Sequence, residues 1–205
     1  EFAISSRPRL RRIQPGASAS GPIRRDKTFF AAAMEIYRED CDEWSEALLN
    51  LRNGFAFRVG ERDYQYSAKI QHIFNQVHTG TLRYAYSLGQ VKEGVQGVEN
   101  HTDYSARGSS RVADHALVGT LTSSLSSNLL NNFTFQFARR DFGVTPNSRT
   151  AFVEIPGVMS FGQAPRLEQQ RNEDHWEFVD GLTFIRGSHT LSLGASVHHV
   201  RFDAR

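Results

Sequence analysis

The links between strand-like segments alternate strictly between short and long, and this constrains the fold more than any single motif. Seven segments are read as strands, most of them on the period-two alternation of apolar and polar residues that fits a pleated strand and not a helix. In residues 63–74 the even row is Tyr64, Tyr66, Ala68, Ile70, His72 and Phe74, and only His72 and Ile73 break the pattern. After a short link, Leu82, Tyr84, Tyr86 and Leu88 form the next apolar row. A second hairpin sets Leu117 and Leu121 against Phe133, Phe135 and Phe137 across a turn near residues 126–128. A third sets Trp176, Phe178, Leu182 and Phe184 against Leu191, Leu193, Ala195 and Val197, with Asp180 as a mismatch in the apolar row. Residues 28–37 read as one further strand, although Ala31 to Met34 has helical propensity.

The links after the second, fourth and sixth strands are only a few residues long. Those after the first, third and fifth are read as residues 39–60, 90–113 and 141–173. A soluble sandwich has no reason to collect every tight turn at one end and every long loop at the other. An outer-membrane barrel does, having short periplasmic turns and long extracellular loops, and strands of about 9–11 residues cross a bilayer when tilted. The expected fold is therefore all-β, an antiparallel meander forming part of a large transmembrane barrel, in the outer membrane of a Gram-negative-type bacterium.

Backbone groups can be satisfied in lipid only by helices or closed sheets, so one face of each strand is expected to meet lipid and the other the lumen. The lipid-facing candidates are Tyr64, Tyr66, Ile70, Leu82, Tyr84, Tyr86, Leu117, Leu121, Phe133, Phe135, Phe137, Trp176, Phe178, Leu182, Phe184, Leu191 and Leu193. Lys69, Arg83, Gln136 and Glu177 are the lumen-facing candidates. A half-buried soluble sheet would show the same alternation. Loop order and strand length favour the barrel.

Composition narrows the function. The 205 residues carry 24 Lys and Arg against 22 Asp and Glu, a net charge of +2, too balanced for a dedicated nucleic-acid binder. The longest apolar run, residues 29–34, is far too short for a membrane helix. The single Cys41 permits no internal disulfide and no CxxC site, and reads as a loop thiol. No GxSxG, Walker-type or HExxH motif occurs. His198 and His199 are adjacent, so alternation sends them to opposite faces, and His175 and His189 flank the third hairpin at opposite ends. No enzyme activity, cofactor or metal site is expected. Trp44, Ala47, Leu48 and Leu51 fall at helical spacing and make a short amphipathic helix plausible in the first long loop. The loop of residues 90–113 reads as exposed backbone, and Arg139, Arg140 and Asp141 as solvated rim charge.

Residues 21–30, GPIRRDKTFF, residues 133–141, FTFQFARRD, and residues 181–194, GLTFIRGSHTLSLG, together resemble the barrel of TonB-dependent receptors of the Oar-like branch. In that family a GGPI-basic-basic-D-K-x-F-F-F segment leads from the plug into the barrel. Here Ser20 replaces the first Gly and Ala31 the third Phe. The resemblance covers approximately residues 7–205. It implies energy-coupled uptake of a scarce ligand, such as a metal chelate or an oligosaccharide, with outer-membrane lipid and an inner-membrane TonB-type protein as partners. It also implies that residues 1–22 are the remnant of a plug tail or linker and 23–205 a partial barrel, since such barrels need about 22 strands around a plugged lumen. The alternative is a soluble or cell-surface all-β binding or adhesion module with the long loops as its recognition end.

Overall fold

A computed structural model of the chain describes residues 9–44, 56–96, 102–156, 158–165 and 167–205. All seven anticipated strands are present, and every one is longer than its apolar row. They are β3 (Thr28–Trp44), β4 (Ala56–Ile73), β5 (His78–Gln96), β6 (Arg107–Ser126), β7 (Leu129–Pro146), β10 (Gln169–Arg186) and β11 (His189–Ala204). Each pairs antiparallel with its neighbour in chain order, so the sheet is a meander. Among the described residues β11 does not pair back onto the first strands, and the sheet is open.

Two expectations, the loop lengths and the placing of Cys41, are corrected here, and the N-terminal segment takes a form that its sequence does not predict. The N-terminal segment read as a linker supplies strands β1 (Leu10–Ile13) and β2 (Gly16–Arg24), both laid along the free edge of β3. Pro15 interrupts them and Pro22 sits at a register shift, as proline requires of an edge strand that lacks a donor. The long loops are shorter than read, because Arg38–Asp42 continues to pair with Arg58–Arg62 well beyond the last apolar residue. Cys41 accordingly lies in β3, opposite Val59, and not in a loop. Of the helix read at Trp44, Ala47, Leu48 and Leu51, Trp44 ends β3 and the other three lie outside the described residues.

Local chemistry explains the tight turns. Lys27 N–H donates to the Arg24 carbonyl at 3.1 Å, with Asp26 at φ 58. Between β4 and β5 the Asn75 side-chain oxygen accepts from the N–H groups of Val77 and His78, each at 2.8 Å, a local bond that replaces ladder bonds in the turn. Gly187, at φ 60, opens the two-residue link between β10 and β11, a position that a side chain would strain.

The other end of the sheet is built differently. A 3-10 turn at Tyr104–Ala106 precedes β6, and a small hairpin of β8 (Val153–Ile155) and β9 (Met159–Phe161) lies between β7 and β10. The two loop segments join: Thr102 bridges Ser160, the Asp103 N–H donates to the Ser160 carbonyl at 2.9 Å, and the Gly162 N–H donates to Ser105 Oγ at 2.9 Å. Ala106, Val144, Ala164 and Leu167 form a buried cluster beneath them, with Val95, Phe142 and Phe152 packed against it.

Candidate functional site

Register, which the sequence does not print, sorts the side chains into two faces. Phe30, Ile70, Leu82, Gly119, Phe135, Phe178 and Val197 are successive cross-strand partners and share one face. By the two-residue period of each strand, Tyr64, Tyr66, Tyr84, Tyr86, Leu117, Leu121, Phe133, Phe137, Trp176, Leu182, Phe184, Leu191 and Leu193 fall on that same face. Many of these side chains have nothing over them: Leu193 is 62% exposed, Leu82 52% and Ile70 47%. Aromatic rings line up along the face, with Phe137 and Trp176 at 4.3 Å between centroids, Phe135 and Phe178 at 5.1 Å, and Tyr86 and His115 at 4.7 Å.

The apolar band does not run perpendicular to the strands. On β3 it spans Phe30 to Ile36, and on β11 Leu191 to Val197, yet Phe30, the lowest residue of the first, shares a register row with Val197, the highest of the second. The band has slipped about six residues toward the tight turns over six strand-to-strand steps. With a rise of about 3.3 Å per residue and a strand spacing of about 4.8 Å, this is a tilt of roughly 35°. Strands of a barrel tilt by about 35–45°. The tight turns step down in the same way, from the Arg24–Thr28 turn to the Arg186–His189 turn, so turns and band keep a constant separation.

Asp180 interrupts this face, as the sequence indicated. Its Oδ1 accepts from Asn131 Nδ2 at 2.8 Å, the partner that a charge among apolar residues requires.

The opposite face is polar. Lys69, Arg83, Gln136 and Glu177, singled out one by one from the sequence, occupy a single register row, with Ala31 beside Lys69 and Val118 between Arg83 and Gln136. The next row toward the long loops is made of small residues, Ser18, Ala33, Ser67, Ala85, Ala116 and Ala138, until His175 enters on β10. The row beyond that is charged again: Glu35, Gln65, Asp114, Arg140 and Glu173. Gln14 Nε2 reaches Glu35 at 2.9 Å, and Arg140 grips Asp114 with two bonds of 2.7 and 3.0 Å. Glu35, Gln65, Arg83 and Asp114 thus border a hollow of about 640 Å³ floored by the small residues.

Two histidines that sequence reasoning did not pair, His175 and His198, are brought together on this face. His175 and His198 have ring centroids 6.0 Å apart, and His198 Nε2 lies 3.6 Å from Glu177 Oε1. No group of three or more His, Cys, Asp or Glu side chains among the described residues is arranged to hold a metal ion. The register of β10 on β11 creates this proximity, and the alternation of one strand alone could not reveal it.

Above the apolar band the polar face continues as a carboxylate cluster. Glu39 accepts from Arg12 Nε at 2.6 Å and from Tyr37 Oη at 2.5 Å, and these bonds, Tyr37's first, hold its carboxyl below the ordinary glutamate range. Glu61, its partner across the β3–β4 ladder, is pushed up by burial and then by the neighbouring charges of Asp63 and Glu39. In the loop layer, burial and a bond donated to Glu93 Oε1 at 3.1 Å raise the Tyr104 phenol. Val144 and Phe142 project from the polar face, so the buried loop cluster covers that face at its long-loop end.

The comparisons with known proteins agree with this geometry. No curated protein and no solved structure matches the chain. A family model described as an outer membrane beta barrel domain matches residues 45–205, which takes in every strand from β4 to β11. An open antiparallel meander with one apolar and one polar face, tilted as a barrel wall must be and matched over most of its length, belongs to the outer-membrane β-barrel family.

Proposed function

We propose that the chain forms part of the wall of an outer-membrane receptor that takes up a scarce ligand, a metal chelate or an oligosaccharide, by energy coupled from an inner-membrane TonB-type protein. The apolar face meets lipid and the polar face meets the lumen. The observation that carries this reading is the pair of charged rows, Lys69–Arg83–Gln136–Glu177 and Glu35–Gln65–Asp114–Arg140–Glu173, flanking a floor of Ala and Ser on the polar face. Small residues leave room for a solute, and charges on either side bind it by hydrogen bonds and charge without covalent chemistry. The role is binding and passage, with no catalytic residue.

The energy-coupled part rests on the resemblance of residues 21–30 and 181–194 to TonB-dependent receptors. Membership of the outer-membrane family sets aside the soluble alternative. The test is uptake of a radiolabelled ferric chelate and of a labelled maltodextrin by cells carrying the protein in the outer membrane. One of the two should accumulate, and an uncoupler of the inner membrane should stop it. Lys69→Gln with Arg83→Gln should change which solute passes or how fast. Uptake indifferent to both the uncoupler and the double substitution would contradict the proposal.

A further inference from the structure

Just above the apolar band, the outward face of β3 to β6 carries a row of arginines that the fold pairs with a carboxylate only at Arg38. Arg38 is the direct cross-strand partner of Arg62, Arg62 of Gln90, and Gln90 of Arg111. By alternation these four lie on the same face as Ile36, Tyr64 and Leu88, one pleat beyond them. Like charges directly opposite in an antiparallel pair are destabilising. Arg38 has relief from Asp40, whose carboxylate lies 3.2 Å away. Arg62 and Arg111 make no ion pair among the described residues, nor does Lys92, two residues beyond Gln90.

The position of the row matters as much as its charge. At the tight-turn margin of β3 to β6 the residues of this face just below the band are Thr28, His72, Gly80 and Ser123, with no permanent charge, although Arg24 of β2 stands opposite Thr28 and Arg186 ends β10. On β3 to β6 the arginines of this face therefore stand at the margin next to the long loops, where lipid headgroups of the outer leaflet lie. Arg111 and Lys92 also line a hollow of about 960 Å³ that opens over Gly143. Arg205 lines it as well and lies 3.8 Å from Asp203, and of the three carboxylates at its border Asp141 holds Arg139, Glu168 lies near Arg149, and Glu93 accepts from the neutral Tyr104 phenol. The cations in and beside the hollow that make no ion pair among the described residues are Arg62, Lys92 and Arg111.

The geometry points to a binding surface for phosphate-bearing lipid headgroups of the outer leaflet, formed by Arg38, Arg62 and Arg111 with Gln90 and Lys92. A guanidinium fork matches phosphate oxygens two at a time. Arg62 and Arg111 stand two strands apart, about 10 Å, so one headgroup with two phosphates, or two adjacent headgroups, can engage both. The inference rests on the proposed lipid-facing role of the apolar band, since only then does the row sit at headgroup depth.

The test uses the chain inserted in phosphatidylcholine vesicles with or without diphosphorylated lipid A, and in parallel with inorganic phosphate alone. Bound lipid A is counted by native mass spectrometry. Quenching of tryptophan fluorescence by brominated phosphatidylcholine reads insertion separately. Arg62→Gln with Arg111→Gln should lower lipid A retention about thirtyfold, since each arginine near an anionic surface contributes about fivefold. Lys69→Gln with Arg83→Gln, on the other face, should leave it unchanged. Equal retention by the Arg62/Arg111 variant, equal loss from the two double variants, or binding of inorganic phosphate as tight as lipid A would each overturn the headgroup surface. Absence of quenching would overturn the lipid-facing assignment as well, whereas quenching without lipid A preference overturns the headgroup surface alone.

Discussion

The lower and upper halves of the same strands obey two different solvents. In the lower half the apolar side chains of β3 to β11 are spread over one face and stay exposed: Leu193 at 62%, Val197 at 64% and Leu82 at 52%. In the upper half the buried apolar residues Ala106, Val144, Ala164 and Leu167 close on one another, and ion pairs such as Arg38–Asp40 and Arg58–Asp42 decorate the surface. On the proposed reading the lower half is completed by hydrocarbon, whereas the upper half has its own core. One set of hydrogen-bonded ladders runs through both, so the difference lies in the side chains and not in the backbone.

Substitutions can break this contrast. Phe135→Arg, in the middle of the apolar band, should destabilise the inserted protein by about 2–4 kcal/mol, read by denaturant unfolding from vesicles. Gln136→Arg, one residue on but on the polar face, should cost almost nothing, and equal costs would erase the distinction between the faces. Leu167→Ala, at 1% exposure, should destabilise the loop layer by about 2–3 kcal/mol, making residues 147–168 sensitive to protease while insertion is unaffected. A parallel loss of insertion would mean that the two halves do not hold separately. Asp114→Asn should be the mildest of the substitutions, about 0.2–1 kcal/mol, because its bidentate partner Arg140 is 61% exposed.

The smallest effect is that of pH on the cluster above the band. Glu39 is held below its unfolded value, so its contribution is present above the ordinary glutamate range and is lost as pH falls through its lower folded value. Glu61 is raised, so its contribution is present below the ordinary range and is lost as pH rises through its higher folded value. Glu39→Gln should therefore flatten the acid side of a stability profile, and Glu61→Gln should remove the decline above it. The same profile in both variants would show that neither carboxyl is coupled to folding.

Legibility in the sequence follows the same division. The lower half was readable because Phe133, Phe135 and Phe137 keep an apolar residue at every second position, the pattern a lipid-facing strand would need. Water makes no such demand, so Arg38–Asp42 and its partners look like loop while being strand. β2 was hidden for another reason. Its outward residues Ala17, Ala19 and Gly21 are too small to mark a face, and Pro22 argues against a strand unless the strand lies at an edge. Each polar-face candidate could be assigned from its own strand, but the alignment of Lys69, Arg83, Gln136 and Glu177 in one row, and the approach of His175 to His198, depend on register between strands. Register is set by the turns and by both faces at once, which no single strand contains.

The central claim is that the face carrying Phe133, Phe135 and Phe137 meets hydrocarbon and the face carrying Thr134, Gln136 and Ala138 meets water. Spin labels placed one at a time along residues 130–144, in a Cys41→Ser background and in vesicles, test it through their accessibility to oxygen and to a water-soluble nickel chelate. The account predicts oxygen maxima at 133, 135 and 137, nickel maxima at 134, 136 and 138, and no alternation from 139 upward. Equal nickel accessibility at both sets of positions would contradict it.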